Sequence, residues 1–566
     1  MARPGRWSCR PIPITMSPFS SGTPDAPRRF LSRGAVAQWT CRLLLPLLLW
    51  WVQLGMRPLE PTITHDAGLY LDGASSLRSV HGYRAPSYLG EPCIGLYPPG
   101  QSILLAAFAG NTAEPGPFIA RGQQVMMAVC LLTLLLLGHW GWKIAPGRPA
   151  CALPVLLVGL HSIWSVAIWG LLSDVTFTCL VVALLSVWLP EGIGTERGRW
   201  FGTAILLAAA YLVRTAALPF VGMALLVAAW RFRKGDRMPL PAVAILTLAA
   251  WLGVRLSHGD GAGYGENYRA DWMAAGGATG YLRLLGAKLA VFGRGDLFWS
   301  VMFPAAKRLG NVVGQRWPSM LTGFGILRAA VATGVLVLAG TGIRSAPRRE
   351  WPFVVAATLY GVLLMLLPTA YDVGLTERYH LVLIPPALWW TLRGIDAWIV
   401  RWRPPVWTVH ACEALLVVAV ASGGLWDLAW AKRIERSEAA RGGSLERSRL
   451  VAAIRRHVGD GEVVAASRGV AVYQLSRLLG KQFATDYFVP REVQSSPIYV
   501  RHDQQRFVAA NWLVGNFYDD FGSKEPGKRP GLPGGLLKVV FLDPESYMYL
   551  ARVDPTLDRE WRAAGY

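Results

Sequence analysis

The sequence predicts a polytopic α-helical membrane protein that ends in a small extracytoplasmic α/β domain. Of its 566 residues, 53% are hydrophobic and 16% are charged, whereas soluble proteins average about 25% charged residues. Apolar runs near the ~20 residues that cross a bilayer recur between residues 38 and 425. The spacing of these runs predicts about ten to thirteen membrane spans.

The N-terminal segment, residues 1–37, predicts a disordered basic tail on the cytoplasmic side. It is rich in Pro, Ser and Arg and contains a single acid, Asp25, so it cannot bury enough apolar surface to fold. The first apolar run, residues 38–56, follows directly, and no small-residue cleavage site ends it. We therefore predict an uncleaved signal anchor at residues 38–56.

Basic clusters orient the later spans, because Lys and Arg accumulate on the cytoplasmic side of membrane proteins. Such clusters follow apolar runs at residues 231–237, 344–349 and 393–403. Their alternation predicts a membrane region, 38–428, in the inner (cell) membrane, with outer loops at about 57–100 and 257–318. The net charge of +21 lies in these clusters, a pattern that faces anionic lipid headgroups and argues against a nucleic-acid partner.

The last segment, residues 429–566, changes composition and predicts the α/β domain. Residues 445–457 show helical periodicity, and residues 462–466 are typical of a strand after a turn. A second helix is predicted at 469–479 and a buried strand at 538–542. The segment contains no phosphate-binding loop and no dinucleotide fingerprint, so no nucleotide site is predicted.

The first outer loop opens with residues 65–70 (HDAGLY) and ends with residues 97–100 (YPPG). A carboxylate at the outer mouth of a membrane helix is costly to keep and is usually functional. Asp66 could therefore act as a general base toward an acceptor hydroxyl. The alternative is a helix N-cap, for which aspartate is well suited. Both roles can coexist.

Other polar residues extend this candidate site. His65 could modulate Asp66 or be incidental, and Asp72, which lies off the Asp66 face, is predicted to be solvated surface. Glu91 is the nearest second acid of the loop and, with His258, forms the candidate pair for a divalent metal ion. Metal dependence stays open from the sequence.

Two arginines are candidates for binding a phosphate. Arg214 lies within an apolar stretch without a nearby acid in the sequence, and Arg378 opens a span. The planar guanidinium suits phosphate oxygens, and an arginine in apolar surroundings needs a partner. The alternative for Arg378 is interfacial snorkelling. Residues 201–230 could form one long helix or two helices bent at Arg214.

In these motifs the chain resembles the membrane-integral GT-C glycosyltransferases, in style nearest to the bacterial relatives of protein O-mannosyltransferases and of the lipid A aminoarabinose transferase. The resemblance covers about residues 38–400. It rests on the order of Asp66 with its following aromatic residue, YPPG, 172–174 (LSD), 211–215 (YLVRT), 377–379 (ERY) and Pro385-Pro386. The chain departs from the family in having His-Asp where paired acids are common, and Tyr97 where a lysine precedes the double proline.

The resemblance implies a glycosyltransferase that moves a hexosyl or pentosyl group from a polyprenyl phosphate at the outer membrane face. The acceptor would be a hydroxyl of a glycan, lipid or protein. In this reading Asp66 is catalytic. The donor phosphate binds Arg214, Arg378 and Tyr379. The candidates for an acceptor-side or second-acid role are Glu91, Asp174, Tyr97 and His65.

Two functions from other classes stay open. One is a transporter or lipid flippase, although no inverted repeat with paired broken helices is evident and the outer loops are large. The other is a structural protein of the envelope, in which Asp66 would only cap a helix. Formation of glycosylated acceptor and free polyprenyl phosphate distinguishes the enzyme from both.

Overall fold

The computed structural model describes residues 33–58, 63, 65–79, 82–95, 97–108, 115–188, 196–236, 239–257, 277–293, 320–347, 350–366, 377–439, 449–466, 472–484, 511–516, 537–542 and 548–553. Within them the chain forms a helical bundle followed by a small mixed sheet. Most of the predicted tail, His258 and the predicted loop 257–318 apart from its helical part 277–293 lie outside the described residues.

The first half of the chain contains eleven of the described α-helices, between Arg33 and Ser257. They are α1 (Arg33–Trp39), α2 (Leu45–Gly55), α3 (His65–Arg78), α4 (Gly100–Phe108), α5 (Pro115–Ile144), α6 (Leu153–Gly159), α7 (Ser162–Trp169), α8 (Ser173–Trp188), α9 (Glu196–Val213), α10 (Leu218–Arg233) and α11 (Leu240–Ser257). A π-helical turn, Thr40–Leu44, joins α1 to α2. Pro46 follows in the first turn of α2, where the missing N–H of proline is tolerated.

The second half contains the remaining bundle helices and the C-terminal domain. The helices are α12 (Gly277–Gly293), α13 (Met320–Arg344), α14 (Trp351–Leu366), α15 (Glu377–His380), α16 (Ile384–Trp402), α17 (Val406–Ala439), α18 (Arg449–His457) and α19 (Val472–Leu479). The strands are β1 (Val464–Ala466), β2 (Phe483–Ala484), β3 (Trp512–Asn516), β4 (Leu537–Leu542) and β5 (Met548–Val553).

Several described helices are long and apolar enough to cross a membrane. Four pass by length and composition: Gly34–Gly55, Gly116–Ile144, Thr215–Arg233 and Val406–Ile434. The pair Pro149–Gly159 and Ser162–Trp169 meets at 49° and would add one broken span. Shorter apolar helices cover Ser173–Val187, Leu240–Arg255, Ala329–Arg344 and Trp351–Leu366. The predicted multi-pass helical class is confirmed, and the total of about ten to thirteen spans stays a prediction.

The region around Arg214 forms two helices rather than one. α9 ends at Val213, Arg214 is extended with φ −157° and ψ 125°, and a 3₁₀ turn, Thr215–Ala217, leads into α10. Pro219 lies in the first turn of α10, where it blocks continuation of the preceding helix. The break places the Arg214 side chain at a helix end instead of along a helix face.

The C-terminal domain is a five-stranded sheet with the order β2-β1-β3-β5-β4. β1 pairs in parallel with β2 and β3, whereas β5 is antiparallel to β3 and β4. α18 and α19 bury their apolar sides, including Leu450, Ile454 and Leu475, against this sheet. The predicted helices at 445–457 and 469–479 and the predicted strands at 462–466 and 538–542 are therefore confirmed in kind.

The C-terminal domain packs on residues 82–95, which belong to the predicted first outer loop. The Phe483 N–H donates to Ser87 O and the Leu89 N–H donates to Phe483 O, both at 3.0 Å, so the loop continues the sheet beside β2. Leu69 of α3 and Tyr88 of the loop belong to the same apolar cluster as the sheet. The domain therefore contacts the loop that contains Asp66.

Candidate functional site

Asp66 lies in the first turn of α3, at the rim of the bundle. It is the second residue of the helix, which begins at His65, so its carboxylate lies close to the helix N-terminus. Tyr97 donates its hydroxyl hydrogen to Asp66 Oδ1 at 2.8 Å, and Arg378 Nη2 donates to Asp66 Oδ2 at 2.7 Å. The buried side chains of Ala67 and Leu71 pack against the bundle core and fix the orientation of α3.

Arg378 connects the carboxylate of Asp66 to an aromatic ring. Its Nη2 also donates to the Tyr379 hydroxyl at 2.9 Å, and its Cζ lies 4.9 Å from the centre of the Tyr379 ring. The side chain is 22% exposed and paired with Asp66, so its charge has a partner within the protein. Arg378 Nε is buried and has no hydrogen-bond partner among the described residues.

Arg214 contacts the same ring and is paired with Asp174, a candidate acid to which the sequence assigned no partner. Its Cζ lies 4.4 Å from the centre of the Tyr379 ring. Arg214 Nη1 forms an ion pair with Asp174 Oδ1, and the Asp174 side chain is 4% exposed. Arg214 therefore has a partner from α8, forty residues earlier in the chain. A buried arginine requires such compensation.

The four ionic side chains form one electrically balanced cluster around Tyr379. Asp66 and Asp174 contribute two negative charges, and Arg214 and Arg378 contribute two positive charges. Burial lowers the pKa of Arg378, but the charges of Asp66 and Asp174 outweigh it and raise the pKa above its ordinary value. The guanidinium therefore stays protonated.

The backbone of Tyr379 is bound by a buried tyrosine. Tyr360, fully buried in α14, donates its hydroxyl to the Tyr379 carbonyl at 2.8 Å. Sequence reasoning missed Tyr360 because it lies within an apolar helix, where a tyrosine is usually core. The signal was its hydroxyl, which needs a partner when the ring is buried.

Glu91 is the acid candidate that the structure keeps apart from the cluster. Its backbone has φ 46°, and its carboxylate accepts from Gln482 Nε2 at 3.4 Å, in the contact with the C-terminal domain. His258 lies outside the described residues, as does the side chain of His65. Among the described residues no group of three His, Cys, Asp or Glu side chains could hold a metal ion.

Asp72 differs most from its prediction. It is fully buried rather than solvated, and Ser87 donates to its Oδ1 at 2.7 Å. Its Oδ2 is buried and has no hydrogen-bond partner within the described part of the chain. Burial raises the pKa of Asp72 to about 7, against the opposing effects of the Ser87 hydrogen bond and the charge of Arg477. The prediction failed because the loop after α3 folds back over this side chain.

The comparisons with known proteins give similarities of structure only. No protein-family model matches the sequence, and no curated protein matches it. The chain is similar to ArnT from Cupriavidus metallidurans bound to undecaprenyl phosphate, with 14% identity over 92% of this chain and 99% of that chain and a TM-score of 0.41. It is also similar to ArnT from Cupriavidus metallidurans in the apo state, with 13% identity over 92% of this chain and 99% of that chain and a TM-score of 0.45.

A third similar structure is the oligosaccharyltransferase AglB from Archaeoglobus fulgidus in complex with an inhibitory peptide and a dolichol-phosphate. Its identity is 10% over 85% of this chain and 70% of that chain, with a TM-score of 0.45. ArnT is the lipid A aminoarabinose transferase.

Proposed function

We propose that this chain is a membrane glycosyltransferase that moves a sugar from a polyprenyl phosphate to an acceptor hydroxyl at the outer face of the inner membrane. The observation that carries the proposal is the pair of guanidinium groups, Arg214 and Arg378, that share the ring of Tyr379 beside the carboxylate of Asp66. The sequence motifs supply the donor class, and this cluster supplies groups suited to it.

The donor side of the proposed reaction needs positive charge beside the phosphate, because negative charge develops there as the bond to the sugar breaks. A polyprenyl-phosphate sugar is a phosphodiester with one negative charge, and the departing polyprenyl phosphate carries a second. Donors fixed where charge develops stabilise the transition state more than the ground state. Arg214 and Arg378 are such donors, and both guanidiniums lie against the ring of Tyr379.

The acceptor side needs a base that is oriented before the substrate arrives. The acceptor oxygen would form the new bond to the anomeric carbon while the bond from that carbon to the phosphate oxygen breaks. Asp66 would take the hydroxyl proton. Tyr97 and Arg378 fix its two oxygens, and its side chain is 21% exposed, so an acceptor can approach it.

The sugar, hexosyl or pentosyl, and the acceptor, a glycan, lipid or protein, are identified by experiment. The purified chain in liposomes is incubated with a panel of polyprenyl-phosphate hexoses and pentoses and with an envelope extract. We expect release of free polyprenyl phosphate that depends on the extract. Mass spectrometry of envelope glycans and lipids from cells with and without the chain then names the product.

Two outcomes of this assay would overturn the proposal. Movement of a labelled donor across the bilayer without release of polyprenyl phosphate would support a flippase. If no donor is turned over and the envelope glycans and lipids are unchanged, the result would support a structural protein instead of an enzyme.

A further inference from the structure

Gln101 is a fully buried glutamine whose amide binds the segment around Asp174 at two points. Its Nε2 donates to Leu171 O at 3.3 Å, and its Oε1 accepts from Thr176 Oγ1 at 2.9 Å. Leu171 and Thr176 enclose Asp174 in the sequence. One side chain from α4 thus binds both ends of the turn that presents the acid.

That turn has a backbone conformation that needs support. Leu171 has φ 57°, the left-handed region that glycine normally occupies. A residue held there persists only where its surroundings determine the conformation. The Leu172 N–H donates to Ala167 O at 2.9 Å, and the bond from Gln101 to Leu171 O is the side-chain contribution from a neighbouring helix.

The residue before Gln101 contacts the other partner of the ion pair. A Cβ on Gly100 would lie 2.6 Å from the backbone carbonyl carbon and oxygen of Leu212 and 2.7 Å from the nitrogen of Val213. Glycine therefore permits α4 to pack directly on the end of α9, next to Arg214. The start of α4 touches the chain on both sides of the ion pair between Asp174 and Arg214.

We propose that Gln101 is a positioning residue that holds Asp174 against Arg214 and so sets the geometry of the donor-phosphate side. The expected effect on donor kinetics rests on the proposed function, whereas the expected effect on the position of Asp174 does not. Without the amide, the turn at Leu171 relaxes and Asp174 shifts. Arg214 then loses the partner that fixes its guanidinium beside Tyr379.

The chain offers a matched control in Gln53. It is also fully buried, its Nε2 donates to the Gly159 carbonyl at 2.8 Å, and its Oε1 accepts from the Ser165 hydroxyl. Gln101→Met and Gln53→Met therefore each remove one hydrogen bond to a backbone carbonyl and one from a hydroxyl, at equally buried sites. Gln101→Met also removes the contact of Nε2 with Met126 Sδ at 3.2 Å. Among these contacts, those of Gln101 alone adjoin Asp174.

The kinetic test measures transfer rates of Gln101→Met and Gln53→Met at varied donor concentration. A displacement of about 1 Å can cost roughly 100-fold in rate, so we expect Gln101→Met to lower kcat/KM for the donor by roughly 10- to 100-fold with the acceptor KM unchanged. Gln53→Met should stay close to wild type. Equal losses in both variants would overturn the proposal. Thr176→Val, which removes one of the two bonds, gives a milder second test if Gln101→Met does not fold.

A thermal-stability cycle separates this inference from the proposed function, because it needs no turnover. Asp174→Asn is measured in the wild-type, Gln101→Met and Gln53→Met backgrounds. We expect its Tm loss to shrink in the Gln101→Met background and to stay unchanged in the Gln53→Met background. Equal losses in all three would overturn the positioning role even in an active enzyme. An inactive wild type with the coupling intact would overturn only the proposed function.

Discussion

Arg378 and Asp66 lie 312 residues apart in the sequence, yet Arg378 Nη2 donates to Asp66 Oδ2 at 2.7 Å. The bond joins α3, which follows the first span, to α15, which precedes α16. Because Arg378 also contacts Tyr379, the carboxylate proposed as the base and the guanidinium proposed for the phosphate belong to one network. A change at either residue should therefore affect both halves of the reaction.

Asp66→Asn should nearly abolish transfer while membrane insertion stays intact. The amide keeps the size of the side chain but cannot accept the proton of the acceptor hydroxyl, and loss of a positioned base costs typically 10²–10⁴-fold in rate. The measurement is acceptor-dependent release of polyprenyl phosphate by purified protein. Glu91→Gln is the matched control, because Glu91 lies in the same loop but contacts Gln482 instead. A wild-type rate in a folded Asp66→Asn variant would rule out the catalytic role.

Replacing Arg214 or Arg378 with Ala should weaken donor use more than acceptor use. Both guanidiniums contact Tyr379, so the double variant should lose less than the sum of the two single losses if one phosphate binds both. Lys at either position should restore activity only in part, because it supplies the charge without the planar fork. Kinetics with varied donor concentration measure these effects.

The control for the arginine variants is Arg393→Ala. Arg393 is also an ion-paired arginine over an aromatic ring, with Glu350 at 2.6 and 2.9 Å and its Cζ 4.6 Å from the centre of the Trp389 ring. We expect it to lower thermal stability without changing the donor KM. Unchanged donor KM and kcat in both Arg214→Ala and Arg378→Ala would contradict the phosphate site.

The residues of this cluster could be selected from the sequence, but their pairing could not. Asp66, Arg214 and Arg378 stand out because charge near apolar segments is expensive, which is a local property. Which acid meets which base depends on how the helices pack, so Asp174 was a candidate acid without an assigned partner. Asp72 was misjudged for the same reason, since only the fold shows the loop that covers it.

The membrane orientation gives a third prediction. A reporter fused after residue 566 should be extracytoplasmic, and one fused to a chain ending at Lys234 should be cytoplasmic, because the basic clusters alternate that way. The sheet pairs with the first outer loop through Phe483 and Ser87, so the C-terminal domain and Asp66 must share a side. Activities of an exported and a cytoplasmic reporter measure this. A cytoplasmic C-terminal reporter would place Asp66 inside and contradict the proposed outer-face reaction.

The buried Asp72 gives the chain a pH-dependent stability. Burial raises its pKa from 3.8 to about 7 in the folded state, so the folded chain holds this proton more tightly than the unfolded chain. The contribution of this group to the free energy of unfolding is fully present below about pH 4 and is lost as the pH rises through about 7. Above that pH the free energy of unfolding no longer depends on this group's titration. The two pKa values set an upper bound of roughly 4 kcal/mol for the loss. Asp72→Asn, which cannot ionise, should remove it.

The measurement is the Tm of purified protein in the same detergent at pH 5 and pH 8. Wild type should be less stable at pH 8, and the difference should be smaller in Asp72→Asn. Asp460→Asn is the control, because Asp460 is a solvent-exposed acid of the C-terminal domain and should leave the difference unchanged. Since Asp72 lies beneath Ser87, beside the loop that pairs with β2, loss of its proton weakens this junction first. Equal pH dependence in wild type and Asp72→Asn would show that the carboxyl is already ionised, and hydrated, at pH 5.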